Sequence, residues 1–553
     1  MPQTRPCSIT GEPFEISDGE IAFLAERNIP LPTISPRERL RKVMASRNEW
    51  KLYRRTCDKT KKEIISAYPP ESPFTVYRND IWWGDSWDAL TYGRAFDFVK
   101  PFFVQYEELQ KVVPREGTSV FRSENCDYNS HIRDSKNCYM NSLIATSEDT
   151  HFSYWIENGK DVIDCMLTNA STLSYECVDC DKCYDVTSLE ESRNCNDCHF
   201  CFQLTGCDHC LLSSNLANRS YYLRNAPCTK EEFAAAKTAL LCGSYAKWKD
   251  ARAEYLRMRE ASVHRALHNL NCENVIGDHM YNAKNCLRCF DGHDAEDCTQ
   301  SISMADTKDI ISCYSAGWPR CEQIYFSAVS RGSIDLAFCR YTFFGNNLRY
   351  CDSCISCKHC FGCIGLRHKE YCILNTQYTK EEYEKLVPQI IDHMGKTGEW
   401  GEFFPPHTMP FSYNESAAQD YLPLSENEAR KMGFTWRDTP EEIPVAKRVI
   451  TAASLPDNID DMSDDLLQSA IQCEKSGKPF KIVKQELDFY RRMRLPLPRL
   501  HPTERHRSRM ARRNPYQLWI RKCTKCGQDT WTTYAPERPE MVACEECYLK
   551  EIY

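Results

Sequence analysis

The stretch "CDSCISCKHCFGC" (residues 351–363) places five cysteines at intervals of three. In a straight β-strand successive side chains alternate between the two faces, so this spacing sends neighbouring cysteines to opposite faces unless a turn intervenes. Four thiolates therefore cannot converge on one metal ion from a single straight strand. The run is the densest part of a longer pattern, and that pattern decides how it folds.

Cysteine pairs twelve residues apart recur through the middle of the chain: Cys126/Cys138, Cys165/Cys177, Cys183/Cys195, Cys195/Cys207, Cys198/Cys210, Cys286/Cys298, Cys339/Cys351 and Cys351/Cys363. Asn or Asp often stands directly before the cysteine, as at Asn137 and Asp297, and both tolerate the left-handed backbone of a tight corner. The segments between show no helical periodicity. The pattern predicts a parallel β-helix-like β-solenoid, in which equivalent residues stack on successive coils. It leaves open whether one coil holds one or two twelve-residue units.

Three interpretations of these thiols stay open. In a solenoid, Cys339, Cys351 and Cys363 form a column of reduced thiols that fills a narrow core as small apolar side chains. The Cx2Cx2C runs at 177–183 and 195–201 instead suggest a metal or an iron–sulfur cluster, although the Cx3CP ending of such motifs is missing. Disulfides between coils are the third interpretation, and a reducing cytoplasm disfavours them.

The chain contains two internal duplications. "CSITGEPFEI" (7–16) aligns with "CEKSGKPFKI" (473–482), an offset of 466, and "LANRSYYLRNAPCTKEEF" (216–233) aligns with "LRHKEYCILNTQYTKEEY" (366–383), an offset of 150. The predicted fold is mainly β with α+β ends, two tandem Cys-rich β-solenoid blocks flanked by duplicated zinc-ribbon or treble-clef-like modules. The predicted units are an N-terminal module that is a degenerate copy (1–85), an aromatic cap (86–122), the first block (123–228), a helical connector (229–269), the second block (270–378), a helix and irregular strap (379–465) and the C-terminal module (466–553). We expect the aromatic residues of 86–122 to cap the first block.

One metal site is specific. Cys523, Cys526, Cys544 and Cys547 have the spacing C-x2-C-x17-C-x2-C, which is typical of tetrahedral Zn²⁺. Because no open ligand position is evident, the prediction is one structural zinc ion. When the two modules are aligned, the N-terminal copy has Cys57, Thr60, Arg78 and Ile81 at these four positions, and these residues cannot form that site. A second set of aligned positions has a similar spacing. It is occupied by Cys473, Ser476, His501 and Glu504 in the C-terminal module and by Cys7, Thr10, Ser35 and Glu38 in the N-terminal module. We expect no metal at either set.

A basic stretch adjoins the zinc motif. The whole chain of 553 residues has a net charge of −8, which excludes a generic polyanion-binding protein. Residues 491–522 nevertheless carry eleven Lys or Arg and one acid, a pattern that suggests phosphate-backbone binding, to RNA or a ribonucleoprotein. The candidate residues are Arg505, Arg507, Arg509, Arg512, Arg513 and Trp519. In the alternative interpretation these arginines pair with acids of the same chain.

Catalysis is not indicated, because the common nucleotide-binding, hydrolase and metalloprotease motifs are missing from the sequence. The prediction is a non-enzymatic zinc-binding scaffold that binds RNA or a ribonucleoprotein through its basic terminal modules. The alternatives are a protein scaffold without nucleic acid, a multi-metal or redox thiol protein, and a β-helix carbohydrate-active enzyme. No apolar run reaches the length of a membrane span and the N-terminus lacks the apolar core of a secretory signal, so we expect a cytoplasmic protein.

Several motifs carry a family resemblance: "WDALTYGRAFDFVKPFF" (87–103), "FGCIGLRHKEYCILNTQYTKEEY" (361–383), "EWGEFFPP" (399–406) and the terminal "CTKCG" and "CEECY". With these motifs the chain resembles a Cys-rich zinc-ribbon family of uncultivated small-genome bacteria. The resemblance implies a bacterial cytosolic setting and a zinc role for Cys523, Cys526, Cys544 and Cys547. It implies no particular activity, substrate or fold.

Overall fold

The computed structural model describes residues 2–296, 307–315, 321–438 and 446–552. The chain is strand-rich, and its two largest sheets have fifteen and eight strands. The larger sheet is mixed, because its strands are parallel except at one antiparallel end. Within the described ranges, no helix has both the length and the apolar character needed to cross a membrane. Asp297 and Cys298 lie outside the described residues.

The strands before the large sheet are β1 (Gln3–Pro6), β2 (Pro13–Ile16), β3 (Tyr53–Thr56), β4 (Glu63–Ser66), β5 (Val76–Tyr77) and β6 (Arg115–Glu116). The large sheet contains β7 (Ser119–Phe121), β8 (His131–Arg133), β9 (Ser142–Ala145), β10 (Glu148–His151), β11 (Tyr154–Glu157), β12 (Lys160–Ile163), β13 (Met166–Asn169), β14 (Thr172–Tyr175), β15 (Val178–Asp181), β16 (Tyr184–Arg193), β17 (Asn196–Thr205), β18 (Asp208–Leu211), β19 (Ser214–Ala217), β20 (Ser220–Leu223) and β21 (Ala226–Pro227). We call these strands, residues 119–227, the first stack.

After it come β22 (Val263–Arg265), β23 (Ile276–Asp278), β24 (Leu287–Phe290), β25 (Ala295–Glu296), β26 (Thr307–Tyr314), β27 (Cys321–Ala328), β28 (Ile334–Ala337), β29 (Asn346–Arg349), β30 (Lys358–Phe361), β31 (Glu370–Ile373) and β32 (Thr376–Gln377). The strands β23–β32 are called the second stack. The C-terminal strands are β33 (Arg448–Thr451), β34 (Ser469–Gln472), β35 (Pro479–Phe480), β36 (Trp519–Lys522), β37 (Asp529–Thr532) and β38 (Met541–Ala543).

The helices are α1 (Asp18–Glu26), α2 (Pro36–Met44), α3 (Asn79–Trp83), α4 (Phe102–Val112), α5 (Lys230–Leu240), α6 (Tyr245–Ala261), α7 (Lys380–Thr397), α8 (Ala417–Tyr421), α9 (Glu426–Lys431), α10 (Lys484–Arg492), α11 (Pro502–Met510) and α12 (Glu545–Ile552). Short 3-10 helices span Ala89–Tyr92, Pro406–Thr408, Tyr413–Glu415, Ala452–Ser454, Ile459–Asp461 and Asp464–Gln468.

The strands of the first stack pair in parallel with a register of twelve residues. Ser142 of β9 lies beside Tyr154 of β11, which lies beside Met166 of β13. The intervening strands form a second row with the same register, since Glu148 of β10 lies beside Lys160 of β12. The pairing register of both rows is therefore one twelve-residue unit.

The backbone at every third residue explains the cysteine run. Tyr350, Ser353, Ser356 and His359 have φ between 50° and 56°, and each stands directly before a cysteine. This left-handed conformation turns the chain at each step, so residues three apart all point inward. Accordingly Cys351, Cys354, Cys357 and Cys360 are fully buried. Asn and Asp do occupy such corners elsewhere, as predicted, but Tyr and Ser also adopt them here.

Small polar residues of the core complete the backbone hydrogen bonding between turns. Ser135 Oγ accepts the N–H of Ser147 at 3.0 Å, and Ser153 Oγ accepts the N–H of Cys165 at 3.1 Å. Cys165 Sγ in turn accepts the N–H of Cys177 at 3.4 Å. Buried backbone donors need such partners. Serine and cysteine therefore suit this core because they are small and also bind the backbone one turn later.

The two terminal modules pack on the stacks in equivalent ways. Phe23 of the N-terminal module contacts Tyr325 of the second stack, with ring centroids 6.3 Å apart, and Phe489 of the C-terminal module contacts Tyr175 of the first stack at 6.4 Å. Phe23 and Phe489 are equivalent residues at the offset of 466, and Tyr175 and Tyr325 are equivalent residues at the offset of 150. Each half of the chain therefore places its module on the stack of the other half.

The aromatic segment caps the second stack, whereas we expected it to cap the first. Phe102 packs on Phe361 with centroids 5.5 Å apart, and the side-chain amide of Asn375 donates to the Ala89 carbonyl at 3.0 Å. The physical reason is that the last turn of the second stack leaves polar groups at its end. The segment meets them, since the N–H of Arg94 also donates to the Leu374 carbonyl at 3.1 Å.

The irregular strap lies on the N-terminal module. The N–H of Ala417 donates to the Arg47 carbonyl at 2.8 Å, and the Arg41 guanidinium donates to the Leu422 carbonyl at 2.7 Å. The Glu399 carboxylate accepts the N–H groups of Phe102 and Phe103 at the start of α4, both at 2.8 Å. The strap thus connects the module to the aromatic cap.

The role of the inward hydroxyl groups can be tested at Ser153, which is fully buried. Ser153→Ala should lower the free energy of unfolding by about 1–3 kcal/mol, because it leaves the Cys165 N–H without an acceptor. Ser153→Cys should cost less, since a thiol makes the same bond at Cys165. Urea unfolding of the three proteins measures this, and equal losses for both variants would contradict the account.

Candidate metal centre

The first half of the centre is a hairpin turn. Strands β36 and β37 are antiparallel, and Cys523 follows β36 directly. The Cys523 N–H donates to the Gln528 carbonyl at 2.8 Å, and the Gly527 N–H donates to the Cys523 carbonyl at 2.9 Å. Gly527 has φ of 74°, a conformation that glycine adopts without strain. This turn holds Cys523 and Cys526 on one side of the loop.

The second half comes from the end of β38 and the start of α12. The Thr524 N–H donates to the Val542 carbonyl at 2.9 Å, and the Cys544 N–H donates to Cys523 Sγ at 3.3 Å. These bonds bring the two cysteine pairs together, and the four Sγ atoms of Cys523, Cys526, Cys544 and Cys547 lie within 4.8 Å of one another.

The distances fit a tetrahedral metal ion. Zn–S bonds of about 2.3 Å place tetrahedral sulfur atoms about 3.8 Å apart. The Sγ atoms of Cys526 and Cys544 are 3.8 Å apart. The donor set of four thiols suits a soft or borderline metal ion better than Mg²⁺ or Ca²⁺, which prefer oxygen.

Two thiols of the cluster have pKa values shifted in opposite directions. Burial opposes ionisation of Cys523, but the backbone N–H groups of Cys526 and Cys544 outweigh it and lower its pKa to about 6. The hydrogen bond with the Cys544 thiol raises the pKa of Cys547 to about 12. Neighbouring thiols therefore cannot all lose their protons together unless a positive charge lies among them.

The same turn occurs three more times. In each of these turns a cysteine N–H donates to the carbonyl of the residue five positions later, at 2.8–3.0 Å. The carbonyl of the same cysteine accepts the N–H of the residue four positions later, also at 2.8–3.0 Å. These cysteines are Cys7, Cys57 and Cys473. Each terminal module therefore contains two related hairpin units, and the sequence indicated the weaker one only as a finger that had lost ligands.

The three other turns hold a single cysteine each, and hydrogen bonds within the chain serve that thiol. Cys7 Sγ accepts the N–H of Ser35 at 3.3 Å, Cys57 Sγ accepts the N–H of Arg78 at 3.4 Å, and Cys473 Sγ accepts the N–H of His501 at 3.2 Å. The residues that donate these N–H groups occupy the position that Cys544 occupies in the four-cysteine unit, where the Cys544 N–H donates to Cys523 Sγ.

The cysteines of the stacks are arranged differently from those of the tail. Among the described residues, the tail cluster is the one set of three or more cysteines whose Sγ atoms lie within 4.8 Å of one another. The described cysteines are all free thiols. Thiols of the stacks also bond the backbone, as Cys351 Sγ does with the carbonyls of Arg349 and Cys360, both at 3.4 Å.

The structure buries four of the five candidate arginines. Arg505 is ion-paired with Asp164 and Glu486, and Arg509 donates to Asp164 at 2.8 Å. Arg512 reaches Glu190 at 2.7 Å.

The Arg513 guanidinium is ion-paired with both Asp179 and Asp291, each at 2.7 Å. Four of the five arginines thus dock the C-terminal module onto the stacks and are not free for a phosphate backbone. Arg507 has an exposed side chain, 60% accessible, and pairs with Glu504, while Trp519 is half-buried in β36.

A histidine–carboxylate cluster lies where the C-terminal module meets both stacks. Its overlapping ligand sets are His268, Asp278 and His279, and Asp179, His279 and Asp291. The sequence could not reveal it, because its members come from distant segments with no common spacing. Arg513 neutralises Asp179 and Asp291, so this cluster is an ion-pair network that joins three parts of the chain.

His268 supplies a second cation of this network. Its Nε2 lies 2.8 Å from Glu191 and its Nδ1 lies 3.2 Å from Asp278. Burial favours the neutral ring, but the charges of Glu191 and Asp278 outweigh it and raise the pKa of His268 to about 10. The ring is therefore protonated at neutral pH.

No family model, curated protein or solved structure matches this chain. The fold and the site define a strand-rich, Cys-rich protein whose tail has a cluster of four cysteines that could hold a metal ion.

The docking role of the buried arginines predicts a clear contrast. Arg505→Met should lower the free energy of unfolding by about 3–5 kcal/mol, because it leaves Asp164 and Glu486 buried without their cation. Arg507→Met removes an exposed ion pair and should change it by less than about 1 kcal/mol. Chemical denaturation compares the two, and similar losses would contradict the docking role.

The His268 network predicts a pH dependence. A pKa raised on folding adds stability that is complete below the unfolded value of about 6.5 and is lost as the pH rises towards about 10. The difference in unfolding free energy between wild type and His268→Gln should therefore shrink from pH 6 to pH 10. Thermal unfolding across this range measures it, and a constant difference would contradict the ion pairing.

Proposed function

We propose that this protein is a non-enzymatic β-solenoid scaffold whose C-terminal module is a zinc ribbon closed by one structural Zn²⁺ ion. The observation that carries the proposal is the convergence of Cys523, Cys526, Cys544 and Cys547 at the end of the hairpin β36–β37. All four expected ligands come from the chain, and a closed set of four thiolates is typical of structural zinc. Catalytic zinc keeps one position open for water or substrate.

The solenoid assignment is supported by the pairing register. Parallel strands repeat at twelve residues through β7–β20 and again through β27–β31. The left-handed corners and inward thiols recur with the same period. Stacked coils of this kind form a stiff wall, because each coil bonds its neighbours along its whole length.

The scaffold assignment is supported by how the modules are held. Buried ion pairs of the C-terminal module end on both stacks, through Arg505 on Asp164 and through Arg513 on Asp291. The equivalent arginine of the N-terminal module, Arg39, is paired with Glu20 inside that module. That module contacts both stacks through Glu49, whose carboxylate accepts the Tyr154 hydroxyl of the first stack at 2.7 Å and the Tyr314 hydroxyl of the second stack. Each module thus braces the two stacks. Because four of the five candidate arginines are used in docking the C-terminal module, the proposed partner is another protein rather than RNA.

Metal analysis tests the zinc centre. Purified protein should contain about one zinc per chain, and Cys526→Ser should lose it with a marked fall in Tm, because structural zinc contributes directly to folding free energy. Cys473→Ser, in a related turn with one cysteine, is the matched control and should keep the zinc. Iron in place of zinc would contradict the zinc assignment, and several metal ions per chain would place metal in the stacks as well.

The partner class has its own test. The protein purified at low salt should carry no nucleic acid, judged by its absorbance ratio at 260 and 280 nm and by nuclease treatment. RNA that copurifies and is released steeply by salt would overturn the protein-scaffold proposal, since phosphate contacts are salt-dependent. In that case Arg507→Glu tests whether Arg507, the exposed member of the five candidate arginines, takes part in RNA binding.

A further inference from the structure

The four related hairpin units differ in what covers their first strand. In each unit the first strand ends one residue before the cysteine: β1 before Cys7, β3 before Cys57, β34 before Cys473 and β36 before Cys523. The second strand pairs with it antiparallel on one side. The opposite side of the first strand is an edge with unpaired backbone groups unless another segment covers it.

At one unit the chain adds a third strand to this edge. Strand β33 pairs parallel to β34, so that Arg448 lies beside Ser469 and Ile450 lies beside Ile471. Strand β33 is an extended segment that enters from outside the hairpin. The unit around Cys473 therefore shows that this type of hairpin accepts an extended parallel strand at its outer edge.

At a second unit the strap lies over the first strand. The Tyr53 hydroxyl of β3 is hydrogen-bonded to Glu415, and the Arg437 guanidinium lies 4.4 Å from the Tyr53 ring centroid. The unit around Cys7 leaves β1 exposed, but β1 is a poor acceptor of an added strand. It has Thr4 where β36 has Ile520, and it ends in Pro6, which has no N–H to donate.

The four-cysteine unit has an uncovered edge and an apolar face. In the described part of the chain, β36 pairs with β37 alone. Ile520 of β36 lies beside Trp531 of β37, and these side chains are 54% and 39% exposed. An apolar pair on an open edge strand is a surface that soluble proteins usually cover or charge.

We propose that the outer edge of β36 binds an extended apolar segment of a protein partner, which adds to the hairpin as a third, parallel strand. The bound segment takes the place that β33 takes at β34, with an apolar residue beside Ile520. Backbone hydrogen bonds supply the binding energy and the apolar contact supplies the selectivity. This inference rests on the proposed scaffold function, because it names the class of partner and the surface that receives it.

The chain itself supplies the probe. A fluorescein-labelled peptide of residues 446–453, "AKRVITAA", contains β33, and its binding to the intact zinc-loaded protein is measured by fluorescence polarisation. We expect saturable binding with one site per chain. Ile520→Arg should weaken it at least tenfold, because a charged side chain replaces the apolar contact on the receiving strand.

Matched controls separate this site from the rest of the molecule. Thr4→Arg changes the equivalent position of β1 and should leave peptide binding unchanged, and a peptide with Asp in place of Val449 and Ile450 should not bind. Zinc content and Tm of the Ile520→Arg protein should equal those of wild type, which shows that the module is intact.

Three results would overturn the inference. The first is no saturable binding of the peptide by protein that contains its zinc, which would leave the zinc scaffold proposal standing. The second is binding that Ile520→Arg does not weaken, as expected if the peptide only exchanges with β33 at β34. The third is a dimer in analytical ultracentrifugation that Ile520→Arg dissolves, which would make a second copy of this chain the occupant.

Discussion

A left-handed residue at nearly every third position of the stacks is the constraint on which the rest of this molecule depends. It turns the chain so often that the residues directly after the left-handed positions all face one narrow interior. Only small or slender side chains fit there. It also leaves buried N–H groups that need an acceptor. Ser153 and Cys165 meet both demands, since they fill space and bind the backbone one turn later.

The terminal modules depend on the stacks in turn. Small hairpin units with a short core need a metal ion or a neighbour for stability. Three of the four units have one cysteine each and rely on neighbouring segments, and the fourth has four cysteines in addition to its neighbours. The arginines of the C-terminal module bring charge into the interface, and each is matched by carboxylates of the stacks, as Arg513 is by Asp179 and Asp291. Buried charges persist only when they are paired in this way.

Much of the fold and the metal centre could be predicted because both depend on local spacing. The twelve-residue period gives the pairing register, and the C-x2-C-x17-C-x2-C spacing gives the four cysteines that converge. The roles of the arginines could not be predicted in the same way. Arg505 and Arg507 look alike in a basic stretch, yet one is buried against Asp164 and the other is exposed, because the helix face that carries each is chosen by docking.

Spacing along one chain was enough to find the repeat, the duplication of both halves and the four cysteines that could hold a metal ion. Only the tertiary structure decided which stack each module covers, which end the aromatic segment caps, and how His268 is held between Glu191 and Asp278. Those contacts join segments far apart in the chain, and their energies depend on burial and on distances between charges. Neither quantity exists until the stacks and modules have come together.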